Sequence, residues 1–273
     1  MTNVTTVSSA RSQRLEVNGQ PASLDQVWGL DLSGRSHFTA MQVRGRGTPG
    51  LEFHLSRLDT ASQEMFGAGL DGDRVRAYIR HALGDDITDA SVRVHAFRPG
   101  GPGAQETGEV SVLVSVRPPH APPDRPQRLQ LMTYQRPLAH LKHSGSYGQN
   151  YFGVLAESSG FDDALFAGPD GAISEASIAN IAFARGGELI WPDAPTLRGV
   201  IMRVLQCELD RAGLPWRYGP VQVTDLPGFS GALTTNSHGL AAVAEISDVR
   251  LAADDPVVAA AAKAFAAAPY DPL

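Results

Sequence analysis

Arg136-Pro-Leu-Ala-His-Leu-Lys142-His-Ser-Gly-Ser-Tyr147 is followed by Gly171-Ala-Ile-Ser-Glu175-Ala-Ser177-Ile-Ala-Asn180 and by Pro195-Thr-Leu197-Arg-Gly199-Val200-Ile201. Lys142 is one of two lysines in a chain that carries 23 Lys and Arg together, so lysine is not its default surface cation. An amine can lose its proton and act as a nucleophile or base, which a guanidinium cannot do. The other lysine, Lys263, lies in an alanine-rich segment and reads as a solvated helix charge. Glu175 follows a turn glycine and precedes a hydroxyl, Ser177, and an amide, Asn180. Gly199 opens a predicted helix, whose free N–H groups and positive dipole end suit an anion such as phosphate. Thr234-Thr235-Asn236-Ser237-His238-Gly239 is a polar loop rich in hydrogen-bond donors. Each feature alone is an ordinary acid, cap or turn. In order, they supply an amine, an acid and two anion-binding loops.

Composition narrows the setting. The chain has 273 residues, 42% hydrophobic and 19% charged, which suits a folded globular protein with a large core. A net charge of -6, with no basic block to offset it, argues against a nucleic-acid or anionic-membrane partner. The single Cys207 excludes an intramolecular disulfide and fits a reducing compartment. It falls in a predicted amphipathic helix and is expected to be a buried structural thiol. No apolar run reaches transmembrane length, and the polar residues 1–13 lack a hydrophobic signal region. These residues are expected to form a disordered leader, and the expected location is the cytoplasm.

Further out, His37 to Arg44 alternates as a strand, and Leu51, Leu55, Leu58, Ala61, Met65 and Phe66 recur at helical spacing. A second helix is predicted over Asp73 to Leu83, and strands over Ser91 to Phe97 and Glu109 to Val116, joined by the glycine-rich loop from Pro99 to Gly108. Five prolines between Pro118 and Pro126 preclude a helix or central strand there. The expected division is a smaller N-terminal domain over 14–117, a linker over 118–127 and a larger C-terminal domain over 128–273. In the latter, helices are predicted from Tyr147 to Ser159, Gly199 to Ala212 and Asp255 to Ala267, among short strands. Interspersed strands and helices indicate an α+β protein.

The motifs resemble those of class IV aminotransferases, the fold-type IV pyridoxal-phosphate enzymes. That group includes branched-chain and D-amino-acid aminotransferases, (R)-selective amine transaminases and aminodeoxychorismate lyase. The similarity runs from about Leu15 to Val249 and is best between Lys142 and Arg203, where the lysine, the Gly-x-x-x-Glu-x-Ser-x-x-Asn run and the Leu-x-Gly-Val turn occur in the family's order. His54-Leu-Ser-Arg57-Leu58 is similar to the family's His-x-x-Arg-Leu-x-x-Ser helix, with Ala61 in the serine position.

The resemblance implies a two-domain enzyme with pyridoxal 5'-phosphate in the interdomain cleft, no metal, and a homodimer whose partner helps close each site. Its substrates would be a small-molecule amino donor and a keto-acid acceptor. Lys142 would form the Schiff base and shuttle the proton, and Glu175 would bond the pyridine nitrogen, with Asn180 supporting it. Tyr147 would lie near the phenolic oxygen, with Tyr151 as a competitor. Leu197 would pack against the ring. Arg57, the Gly199 turn with the N–H groups of Val200 and Ile201, and Asn236 with Ser237 would hold the phosphate.

The departures set the alternatives. Arg198 replaces a common proline, and Ile201 a frequent threonine. Thr39 stands where branched-chain enzymes carry glutamate, and Phe38-Thr39-Ala40 is closer to some aminodeoxychorismate lyases. The alternatives are therefore lyase-type elimination with the same cofactor, or a catalytically inactive member of the fold. Thr39 and Arg98 are the substrate-side candidates. Arg93, His95 and Arg98 have the wrong spacing for the carboxylate trap of D-amino-acid aminotransferases. Loops around Gly34 to Thr39, Arg98 to Gly108 and His140 to Ser146 are expected to choose the substrate.

Overall fold

Alternation along Ser36–Val43 (β3) turns Met41 and Val43 toward a helical layer and leaves Phe38 and Ala40 on the opposite face. The computed structural model describes residues 14–27, 35–99 and 109–273. The predicted leader, most of the glycine-rich loop after Pro99 and the Gly34 end of one substrate loop lie outside the described residues. Strands Arg14–Val17 (β1), Gln20–Pro21 (β2), β3, Ala90–Phe97 (β5) and Ser111–Arg117 (β6) form a sheet in the order β2-β1-β6-β5-β3, antiparallel throughout. The short strand Gly47–Thr48 (β4) stands apart from it.

Helices Leu51–Phe66 (α1) and Gly72–Leu83 (α2) bury Leu51, Leu55, Leu58, Val75 and Ile79 against this sheet. These helices match the predicted spans to within one residue. The start of α1 depends on distant chain. Its N-cap, Gly50, has φ +71 and supplies no side-chain cap, and Asp271 Oδ2 instead accepts from Leu51 N at 2.9 Å. Asp271–Pro272 (β16) pairs with β4, which carries that carboxylate to the positive helix end.

The second sheet is mixed and runs β12-β11-β10-β13-β14-β7-β8-β9, with Val249–Arg250 (β15) paired to β14. Its strands are Gln127–Thr133 (β7), Asp163–Ala167 (β8), Ile173–Ala176 (β9), Asn180–Arg185 (β10), Glu188–Pro192 (β11), Trp216–Gly219 (β12), Gly231–Asn236 (β13) and Gly239–Ile246 (β14). Val200–Ala212 (α4) and Pro256–Ala266 (α5) share a core with Trp191 and Leu233, and Tyr147–Ser158 (α3) lies beside β8. The mixed α+β architecture agrees with the sequence reading.

One local reading is completed and one corrected. Glu175, read only as an acid that follows a turn glycine, lies in strand β9, paired with β8. A four-residue strand with serine, glutamate and alanine carries little periodic signal, and pairing decides it. Cys207 is exposed, not buried. The buried stripe of α4 runs through Val204, Leu205, Glu208 and Leu209, and position 207 falls outside it. Among the described residues, no helix is long and apolar enough to cross a membrane.

Asp163 joins three elements at the start of β8. Ser177 Oγ donates to its Oδ1, Ala164 N donates to the same atom at 2.7 Å, and Gly153 of α3 packs close by. Burial pushes its pKa up to about 6 from 3.8, against the pull of these hydrogen bonds. Between those two values the unfolded chain has released a proton that the folded chain retains, so stability falls as pH rises through the window. Relative to Asp163→Asn, the wild type should lose about 3 kcal/mol between pH 4 and 6 and no more above it. Denaturant titrations of both proteins across that range provide the measurement, and parallel pH profiles would reject this account.

Candidate active site

The Lys142 segment reaches the first sheet by backbone pairing. Phe38 N donates to Lys142 O at 2.9 Å, and Ser144 N to Ser36 O at 2.8 Å, with a bridge between His37 and His143. The segment thus extends the free edge of β3. Lys142 Nζ lies 4.9 Å from the centroid of the Phe38 ring. Its pKa is lowered to about 7, first by burial, then by Arg57 and Arg136, with Glu175 pulling the other way. Both protonation states are therefore populated near neutral pH.

Lys142 opens into a cavity of about 70 Å³ that continues into a wider one of about 250 Å³. Arg57, Glu175, Asn180, Leu197, Gly199, Val200, Ile201, Asn236 and Ser237 line the narrower part with Lys142. The sequence candidates drawn from five separate segments are brought together here. Three others are not among the lining residues. Tyr147 is 81% exposed and stacks on Tyr151. Thr39 is buried and turned toward His54 Nδ1, at 2.6 Å, and toward Arg57 Nη2. Arg98 donates to Phe66 O and covers the Phe66 ring.

Glu175 is held at both oxygens. Oε1 accepts from Arg136 Nε at 2.8 Å, and Oε2 accepts from Thr196 Oγ1 at 2.9 Å and Leu197 N at 3.3 Å. Asn180 Nδ2 donates to Leu197 O at 2.6 Å, tying the same turn to β10. A Cβ at Gly199 would collide with Asn180 Oδ1, so glycine is required where this turn enters α4.

The end of the cavity beside α4 is rich in donors. The first turn of α4 presents N–H groups that have no acceptor inside the helix. Arg57 is buried with no partner for Nε, and burial together with Arg203 lowers its pKa to about 10. Thr235 Oγ1 and His54 Nε2 are likewise buried without partners. Burial and Arg57 hold His54 well below the usual histidine range, so it is a neutral ring here. Unpaired buried donors are costly unless an anion meets them. Arrangements of this kind serve oxyanions.

Sequence reasoning missed Arg136, Thr235, Gln149 and the site role of His54, although Arg136 and Thr235 stood inside the quoted motifs. Glu175 is 39 residues from Arg136 in sequence, and no local spacing signals the pair. Arg93 also went unassigned. It lines the wider cavity, and its guanidinium carbon lies 5.0 Å from the Phe38 centroid. His95 instead stacks on the Phe38 ring, with centroids 5.1 Å apart.

Comparison with known proteins bears on the family and the fold. The family model for amino-transferase class IV matches residues 36–246. No curated sequence matches the chain. Among solved structures, a branched-chain aminotransferase from the archaeon Thermoproteus uzoniensis, with norvaline, superimposes with TM-score 0.83 at 16% identity, covering 93% of this chain and 94% of the other. A hypothetical aminotransferase from Mycobacterium tuberculosis in its PLP-bound form gives TM-score 0.79 at 19% identity, covering 93% and 97%. A putative 4-amino-4-deoxychorismate lyase from Legionella pneumophila gives 0.79 at 18% identity, covering 89% and 93%. With the family model spanning most of its length, the chain belongs to the class IV aminotransferase family.

Proposed function

We propose that this chain is a pyridoxal-phosphate-dependent aminotransferase that moves an amino group between an amino acid or amine and a keto acid. The observation that carries the reading is a single cavity joining a lysine with a pKa near 7, a buried carboxylate and a cluster of unpartnered oxyanion donors. The donor set fits that cofactor. Arg57, Val200, Ile201, Asn236 and Ser237 would hold its phosphate, Glu175 backed by Asn180 would face the ring nitrogen, and Leu197 would pack on the ring. When bound, the cofactor supplies an aldehyde for amines and a ring that accepts carbanion electrons.

The chain's own residues do the positioning and the proton transfer. Lys142 Nζ would take the α proton of the amino donor and deliver it to a different carbon, a task suited to an amine whose two protonation states coexist near neutral pH. Arg93 offers positive charge to a substrate carboxylate in the wider cavity. Tyr147 is exposed and does not line the cavity in a single chain, so the reading does not rest on it. Thr39, the residue behind the lyase alternative, points at His54 and Arg57, so nothing in its setting favours elimination over transfer.

The reading extends to assembly. Tyr147, Tyr151, Val154 and Leu155 expose an apolar face of α3, and exposed Ile178 lines the cavity at its mouth. A second copy packed on this face would cover it and close the site. The division of the chain at the proline run, with domains over 14–117 and 128–273, belongs to the same reading. So does work in a reducing compartment such as the cytoplasm, which the single cysteine supports.

Lys142→Ala should reduce amino-group exchange by about a thousandfold or more, and retained exchange would sink the assignment. The lysine also carries a stability cost. The unfolded amine keeps its proton up to about 10.5, whereas the folded one releases it near 7, so stability rises with pH across that window. Cofactor-free Lys142→Met should therefore melt above the wild type at pH 7, with the gap closing toward pH 10. Product analysis checks the reaction class: exchange should require a keto acceptor, and acceptor-free release of pyruvate with an aromatic amine would replace transfer by elimination. For the dimer, Tyr151→Lys with Val154→Lys should sediment as a monomer where the wild type sediments as a dimer. A monomeric wild type would contradict that assembly.

A further inference from the structure

We infer that Arg136 is the positioning residue of this site, one buried guanidinium that holds Glu175 and the turn carrying Lys142 in a set relation to each other. The inference rests on the function proposed above and adds a part that neither end of the cavity supplies alone. Arg136 is 6% exposed and donates from all three of its nitrogens. Nε reaches Glu175 Oε1 at 2.8 Å, Nη1 reaches Leu141 O at 2.7 Å, and Nη2 reaches Ala139 O. Leu141 is the residue before Lys142, so the ring-facing acid and the amine are spanned by one rigid fork.

The turn itself needs this clamp. Leu138 sits at φ +47, a region that branched side chains rarely occupy, and Leu141 N closes the turn on Leu138 O at 2.9 Å. That geometry aims the Ala139 and Leu141 carbonyls inward, where Arg136 satisfies them. On the other side, Phe38 N holds Lys142 O to β3. The backbone of Lys142 is thus pinned from two directions. A buried ion pair is a poor source of stability compared with apolar packing of similar size, because both charges lose their water. An arginine kept in such a place is better explained by the specific arrangement it enforces.

The same charge acts on the amine. Arg57 and His54 from α1, Arg93 from β5, Arg136 from its own segment and Glu175 from β9 face Lys142, with His143 and His238 lining the wider cavity. Removing Arg136 deletes a cation and leaves Glu175 beside the amine without its partner. Both changes favour the protonated lysine.

Competitive acylation of the chain's two lysines, read by peptide mass, reports the Lys142 amine with no cofactor present, and exposed Lys263 serves as the internal reference. In the wild type, Lys142 labelling should rise through a midpoint near pH 7. In Arg136→Met the midpoint should move up by about one unit or more. Arg136→Lys keeps the charge and loses the fork. Its midpoint should stay within about half a unit, while its affinity for pyridoxal phosphate, titrated by absorbance, falls about tenfold or more. A purely structural role would lower the melting temperature and leave the midpoint in place. An unchanged midpoint in Arg136→Met overturns the inference, as does wild-type cofactor affinity in Arg136→Lys. If Arg136→Met does not fold, the Arg136→Lys pattern decides. A wild type that binds no pyridoxal phosphate would reject the proposed function, while the labelling midpoints would still judge Arg136.

Discussion

The backbone pairing of residues 142–144 with Ser36–Phe38 is the constraint on which the site depends. It joins a segment from one half of the chain to the edge strand of the sheet built by the other half. An uncovered edge is a liability for any sheet, and here the covering segment is also the one that carries the amine. Because Phe38 points toward the cavity while Met41 and Val43 point into the core, the register of that pairing sets which face the lysine meets. A slip of one residue would bring buried His37 or Thr39 under Lys142 in place of Phe38.

Among the described residues, the cavity is lined by a single carboxylate and several cations. Glu175 faces Arg136 directly, Arg57 and Arg93 add positive charge around Lys142, and Arg203 adds to the charge acting on Arg57. Such crowding depresses the lysine and leaves donors without protein acceptors at the α4 end. Neither condition helps a protein fold. Both make sense where an anionic ligand supplies the missing acceptors and a neutral amine is wanted. The second sheet provides the rigidity for this, with Trp191, Phe166 and Phe183 fully buried beneath the strands that carry Glu175, Asn180 and Thr235.

Legibility varied with the range of the signal. Helix α1 could be read because its apolar residues recur at helical spacing, and the Leu197–Ile201 turn because a glycine before a helix has a local physical meaning. Glu175 is legible as a residue but its element is not, since β9 exists only through pairing with β8. Arg136 was invisible as a participant, because an arginine after a strand has no marker until the acid it meets is known. Tyr147 shows the opposite case. Its spacing from Lys142 is right for the motif, yet its place at the first position of α3 turns the ring outward.

The amino-acid sequence by itself determined the family, the α+β class and most of the residues that meet in the cavity, because those are carried by residue types in a characteristic order. Only the tertiary structure decided which candidates face the same space, that Arg136 bridges acid and lysine, and that Thr39 and Arg98 are occupied elsewhere. The physical reason is that hydrogen-bond partnership and burial are properties of surroundings assembled from distant parts of the chain. A lysine's chemistry is local, but the charges and the low dielectric that shift its pKa come from Arg57, Arg136 and Glu175, each supplied by a different segment.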